Sequence, residues 1–97
     1  MKLFIVDVSY IVSLDIVDQH LVGHRDFLKK YIDAGKIVTA GRKNPRTGGI
    51  IIIKALELIE AQQIMSEDPF SINKVANITI TEMEPTLMSD YFKGVLS

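Results

Sequence analysis

Two residues of this chain, His24 and Asp68, have types and positions that suit proton transfer. His24 lies in an apolar stripe with helical spacing, and Asp68 follows a second such stripe and directly precedes a proline. A buried imidazole needs a partner, because an unsatisfied polar group costs free energy in a protein interior. If the fold brings the two side chains together, they form a carboxylate–imidazole pair, an arrangement that can move a proton near neutral pH. The alternative is structural, a core histidine held by a carboxylate at a helix end.

Three further residues are candidates for ligand contacts. His20 precedes His24 by four residues, which places both on one helical face; without an intervening Glu or a third ligand, no metal site is predicted and His20 is interpreted as a rim residue. Arg42 belongs to a basic loop and lies nearest to a predicted strand end, so it is the candidate for binding an anion such as a carboxylate or lactone. A solvated hairpin tip is the alternative for that loop. Tyr31 lies on the His24 stripe, as a core residue or as a wall of the same pocket.

The composition excludes several classes of function. The chain has 97 residues, which fit one domain, and a net charge of −1, so no strong field attracts nucleic acid or an anionic membrane. It contains no cysteine, which excludes disulfides, thiolate metal sites and a cysteine nucleophile. No apolar run reaches the length of a membrane span, and the first residues do not resemble a signal peptide. We therefore expect a cytoplasmic location and neither nucleic acid nor membrane as a partner.

The hydrophobic pattern predicts the order β-α-β-β-α-β. Strands are predicted over 3–8, 36–41, 50–55 and 77–83, and helices over 15–34 and 57–66. The first and third strands are apolar on both faces and should be central, whereas the fourth alternates and should lie at an edge. This predicts an α+β, ferredoxin-like fold with a four-stranded antiparallel sheet in the order 4-1-3-2. One domain covers residues 1–97, with a core over 1–85 and a tail over 86–97 that forms a short helix.

Two helices can cover only one face of such a sheet. The second face also carries apolar side chains, and an uncovered patch of this kind is uncommon in monomers. We therefore expect a homodimer, or a larger assembly built from it, in which the sheets pack face to face.

Three stretches of the sequence resemble the YciI-like (YCII-related) family: residues 24–28 (HRDFL), 34–41 (AGKIVTAG) and 67–70 (EDPF). Their order and spacing also match, and the resemblance covers about residues 1–85. It implies a dimeric α+β barrel related to the muconolactone isomerases, with an active site made of a helical His and the Asp of the Asp-Pro-Phe motif, here His24 and Asp68. Many relatives have Arg where this chain has Leu21, and Pro where it has Arg42. Substrate contacts made by that family arginine therefore cannot be transferred.

Three functions follow as hypotheses. The first is an isomerase or lyase of the muconolactone or dehydrochlorinase type. In it, His24 transfers a proton and Asp68 orients the His24 ring, and neither cofactor nor metal is required. The second is a non-catalytic dimeric module that binds a small ligand. The third is a structural subunit without a ligand, which is favoured if side chains fill the space beside His24.

Overall fold

The chain folds into one sheet with all but the last of its helices packed against one face, and the structure, a computed structural model, describes residues 1–97. No helix is long and apolar enough to span a bilayer. The elements follow one another as β1 (Lys2–Tyr10), α1 (Leu14–Gln19), α2 (Leu21–Asp33), β2 (Ile37–Arg42), β3 (Gly48–Ala55), α3 (Leu58–Met65), α4 (Pro69–Ile72), β4 (Ala76–Met83) and α5 (Asp90–Leu96).

The sheet is antiparallel, and its strands lie in the order β2-β3-β1-β4. This is the predicted order read from the other edge, so the predicted α+β fold and strand order are confirmed. The pattern of the strands explains the result. β1 and β3 carry apolar side chains on both faces and occupy the centre, while β4 lies at an edge with Thr79 and Thr81 exposed.

The hydrophobic core lies between the sheet and the helices. Phe4 pairs with Ile53 and Val6 with Ile51 across β1 and β3, and all four side chains are buried. Because successive strand residues point to opposite faces, these residues form one apolar surface facing the helices. The helices supply the rest of the packing through Val17, Phe27, Ala61, Ile64, Met65 and Phe70.

The opposite face of the sheet is less fully covered. Ile5, Ile50 and Ile52 lie on this face and are half-buried. Lys54 also points to this side, and its ammonium group donates a hydrogen bond of 2.8 Å to the carbonyl oxygen of Val95. The C-terminal helix α5 therefore lies against one end of this face, next to the β1–β3 pair.

The single helix predicted over 15–34 is wrong, because the structure contains two helices joined at His20. The backbone N–H of His20 donates to the carbonyl of Val17, three residues back, which ends α1 in a tighter turn. The carbonyl of His20 then accepts a hydrogen bond from the N–H of His24 as α2 begins. The segment has neither Gly nor Pro at this point, so the sequence carries no ordinary signal for the break.

Candidate functional site

The centre of the candidate site is a close contact between His24 on α2 and Asp68 at the start of α4. Nδ1 of His24 lies 2.9 Å from Oδ1 and 3.0 Å from Oδ2 of Asp68. The Asp68 side chain is completely buried, whereas 13% of the His24 side chain is exposed. The arrangement therefore has a buried carboxylate behind a partly accessible imidazole.

Local sequence explains the position of the carboxylate. Asp68 is the N-cap of α4, and its Oδ1 accepts a hydrogen bond of 2.9 Å from the N–H of Phe70. Pro69 occupies the first helical position, where its missing N–H costs nothing. Gly23 allows α2 to approach closely, because a Cβ atom at this position would lie 3.1 Å from Cγ of Pro69. The Asp-Pro-Phe motif thus fixes Asp68 directly beside α2.

Phe70 holds the imidazole from a second direction. Its ring lies parallel to that of His24, with centroids 4.0 Å apart and 8° between the planes. Phe70 is 1% exposed and belongs to the core, so this stacking surface is well fixed. Stacking and the contact to Asp68 together determine both the position and the rotation of the His24 ring.

This geometry determines what the imidazole can do chemically. Hydrogen bonding to a carboxylate places the proton of neutral His24 on Nδ1, because a carboxylate can only accept. Nε2 then carries the lone pair, and it forms no hydrogen bond within the chain. His24 therefore has the features of a general base whose reactive nitrogen is Nε2.

A cavity of about 490 Å³ lies beside His24, between α2 and the ends of β1, β2 and β3. This volume is in the usual range for small-molecule sites. Its wall combines apolar side chains, among them Val8, Leu21, Leu28, Ile51 and Phe70, with several charged ones. The arrangement can hold a small, largely apolar molecule next to a proton-transfer group.

The charged side chains of the wall are three arginines, Arg25, Arg42 and Arg46, and one aspartate, Asp18. Arg46 forms an ion pair with Asp18, 2.5 Å between nitrogen and oxygen, and this contact raises the pKa of Arg46. Arg25 and Arg42 are exposed, and neither forms an ion pair or a side-chain hydrogen bond. Arg42, a predicted ligand contact, thus lines the cavity that contains His24.

The other two predicted ligand contacts lie elsewhere. His20 is at the α1–α2 junction and is not part of the cavity wall. Tyr31 lies outside the cavity as well, and its hydroxyl donates a hydrogen bond to Glu67, which raises the pKa of Tyr31. Glu67 also binds Lys30 at 2.9 Å. Because neither residue lines the cavity, the structure does not support a role of His20 or Tyr31 in ligand binding, and these roles stay predictions.

Sequence reasoning missed Arg25 and Asp18 as members of the wall. The adjacency of Arg25 to His24 was an available signal. The direction of the Arg25 side chain, however, depends on how α2 is rotated against the sheet. Asp18 carried no signal, because its place depends on the break between α1 and α2. No group of three or more His, Asp or Glu side chains has the geometry to hold a metal ion.

Comparison with known proteins identifies the family of the chain and supports its fold. The sequence model of the YCII-related domain family matches residues 1–84. The chain belongs to the YCII-related domain family. The fold of this YCII-related domain is similar to a solved structure, the 5-chloro-2-hydroxyhydroquinone dehydrochlorinase of Burkholderia phenoliruptrix AC1100 in complex with 2,5-dihydroxybenzoquinone. The TM-score is 0.70 with 18% sequence identity, over 87% of this chain and 93% of that chain. No curated protein sequence matches the chain.

Proposed function

We propose that this YCII-related domain is a small-molecule enzyme of the proton-transfer type, an isomerase or a lyase. His24 acts as the general base through Nε2, and Asp68 orients the ring and stabilises the imidazolium that forms. The observation that carries the proposal is the contact of 2.9 Å between Nδ1 of His24 and the buried carboxylate of Asp68, beside an open cavity. That cavity also disfavours a purely structural subunit, for which side chains should fill the space.

A lyase of the dehydrochlorinase type is the most specific form of this proposal. Dehydrochlorination removes a proton and a chloride ion, so a well-oriented general base is its central requirement. The similar solved fold belongs to a dehydrochlorinase with a small ring compound bound, which supports a ring-shaped substrate for this chain. His24 would take the proton, and the chloride would leave into solvent through the cavity mouth.

We also propose a homodimer, with the dimeric barrel formed by two sheets packed face to face. The half-buried isoleucines Ile5, Ile50 and Ile52 support it, because they form an apolar surface on the side of the sheet away from α2 and α3. Light scattering after size exclusion tests the dimer. Ile50→Lys should then shift the species towards monomer, and an unchanged mass would contradict this interface. The cytoplasmic location stays a prediction.

The experiment that tests the enzymatic function is chloride release from chlorinated ring compounds, both 5-chloro-2-hydroxyhydroquinone and chlorinated ring carboxylates. General acid–base groups contribute about 10²–10⁴-fold to rates, so His24→Ala should reduce turnover by this factor while the fold is retained. Lys29→Gln, which changes an exposed α2 side chain outside the cavity, is the control and should leave the rate unchanged. If His24→Ala changes ligand affinity and wild type shows no turnover, the chain is a ligand-binding module instead.

A further inference from the structure

We propose that the ligand of the cavity is a carboxylate, and that Arg25 and Arg42 together bind its charged group. The inference rests on the proposed small-molecule site and specifies its substrate class. It starts from the charges of the cavity wall, where three arginines face a single aspartate although the whole chain has a net charge of −1.

The basic side chains near the cavity differ in whether their charge is already compensated. Arg46 is held by Asp18. Lys43 points to the other face of the sheet, where it binds Asp7 at 2.9 Å and the hydroxyl of Ser9 at 3.1 Å. These two cations are therefore not available to a ligand without breaking an existing contact.

Arg25 and Arg42 are the two cations of the wall whose guanidinium groups have no partner in the chain. They come from different elements, α2 and the end of β2, and both line the same cavity. A guanidinium group matches a carboxylate in shape and can donate two parallel hydrogen bonds to it. Two such groups from different elements can together bind one carboxylate.

Binding of the anion at these arginines would position the ligand relative to His24. Arg25 follows His24 on α2, so an anion held at Arg25 and Arg42 would place the remaining body of the ligand along the apolar wall. Leu28 and Ile51 belong to that wall. Anchoring one end of the ligand orients its reacting C–H or O–H bond towards Nε2 of His24. Such orientation is a large part of enzymatic rate enhancement.

Titration of the protein with benzoate and with its neutral isostere benzamide tests the proposal. The ring protons of His24 serve as the NMR probe, assigned by their loss in His24→Gln. We expect benzoate to bind about fivefold more tightly than benzamide, which is the upper value for one exposed ion pair, with the difference reduced by added salt. Arg25→Gln and Arg42→Gln should each weaken benzoate binding and leave benzamide binding unchanged.

Two controls make the result decisive. Lys29→Gln removes an exposed α2 charge outside the cavity and should not alter benzoate binding. Phenyl phosphate separates a carboxylate site from a phosphate site, and tighter binding of phenyl phosphate than of benzoate would overturn the carboxylate assignment. Equal binding of benzoate and benzamide, or no response to benzoate, would overturn the proposal as well. Binding is measured without turnover, so failure here is distinguishable from failure of the His24 chemistry.

Discussion

The imidazole of His24 lies flat against the ring of Phe70, with centroids 4.0 Å apart and planes inclined by 8°. The same imidazole contacts Asp68 at 2.9 Å, and Asp68 and Phe70 belong to one Asp-Pro-Phe motif. One short segment therefore supplies both the hydrogen-bond acceptor and the surface that hold the ring. Mutations in this motif can therefore test separately the stability of the fold and the orientation of the His24 ring.

Phe70→Leu should reduce activity more than its effect on stability explains. The substitution keeps an apolar side chain in the core but removes the flat surface beneath His24, and we expect a loss of about 1–2 kcal/mol in unfolding free energy. Phe27→Leu is the matched control, because Phe27 is also buried but its ring is tilted by 33° and lies 6.5 Å from that of His24. Urea unfolding and turnover of both variants check this. If Phe70→Leu and Phe27→Leu lose the same activity and the same stability, an orienting role for Phe70 is contradicted.

Asp68→Asn and Asp68→Ala should separate the capping role of this residue from its role towards His24. Asn caps helices as well as Asp, so Asp68→Asn should largely retain stability, whereas Asp68→Ala leaves the N–H of Phe70 and Nδ1 of His24 without an acceptor. We expect about 2–4 kcal/mol of destabilisation for the alanine variant.

Activity should respond differently from stability at this position. An amide can donate to Nδ1, which favours the wrong tautomer of His24, so Asp68→Asn should lower turnover by about 10²-fold or more. Nitrogen NMR of the imidazole checks the tautomer directly. A wild-type neutral His24 protonated on Nε2 would be incompatible with the proposed base.

Gly48→Ala should disrupt the sheet at the edge of the cavity. A Cβ atom on Gly48 would lie 1.8 Å from the carbonyl oxygen of Val8, a backbone atom of the paired strand that cannot move independently. We expect destabilisation of about 3 kcal/mol or more. Gly41→Ala is the control, since no atom lies within 4 Å of its added Cβ, and its thermal midpoint should stay close to that of wild type. Similar midpoints for the two variants would show that β1 and β3 separate more easily than this contact implies.

The cluster of Lys30, Tyr31 and Glu67 should make stability depend on pH in the acid range. The Tyr31 hydroxyl, followed by the Lys30 ammonium group, lowers the pKa of Glu67 below its ordinary value. A carboxyl whose pKa is lower in the folded state stabilises the fold above its unfolded pKa of about 4.3, and this contribution disappears as the pH falls through the folded pKa. Glu67→Gln should therefore destabilise the protein at neutral pH and make no difference in strong acid.

Two variants check this assignment. Tyr31→Phe removes the main cause of the shift, so the pKa of Glu67 should rise towards its ordinary value in a carboxyl NMR titration. Glu84→Gln is the matched control for charge removal, because Glu84 is an exposed carboxylate without an ion pair, and it should have little effect on stability at neutral pH. A Glu67 pKa that is unchanged in Tyr31→Phe would show that the hydroxyl is not the cause.

The strand order of the sheet could be predicted because the apolar pattern of each strand indicates whether it lies at the centre or at an edge. Ile50 to Ile53 are apolar on both faces and require a central strand, whereas Ile78 and Ile80 alternate with threonines and suit an edge. The break at His20 could not be predicted, since it depends on a backbone hydrogen bond to Val17 and not on a helix-breaking residue.

The candidate site could be predicted only in part, for geometric reasons. Asp68 was identifiable because it follows the second apolar stripe directly before Pro69, and the resemblance of the Asp-Pro-Phe stretch implied its pairing with His24. Tyr31 follows His24 by two helical turns and shares its face, but α2 extends past the cavity, so Tyr31 meets Glu67 instead. Arg25 lies in the wall because of how α2 is rotated on the sheet, which is a tertiary property.

Hydrogen exchange from carbon into D2O tests the central claim most directly, because it detects proton removal even where no net reaction follows. Ring carboxylates with an acidic C–H bond are incubated with the protein in D2O, and the C–H signal is followed by proton NMR. The account predicts enzyme-dependent loss of this signal, at least about 10²-fold slower with His24→Gln and unchanged with Lys29→Gln. Exchange at the wild-type rate in His24→Gln would contradict the assignment of His24 as the base.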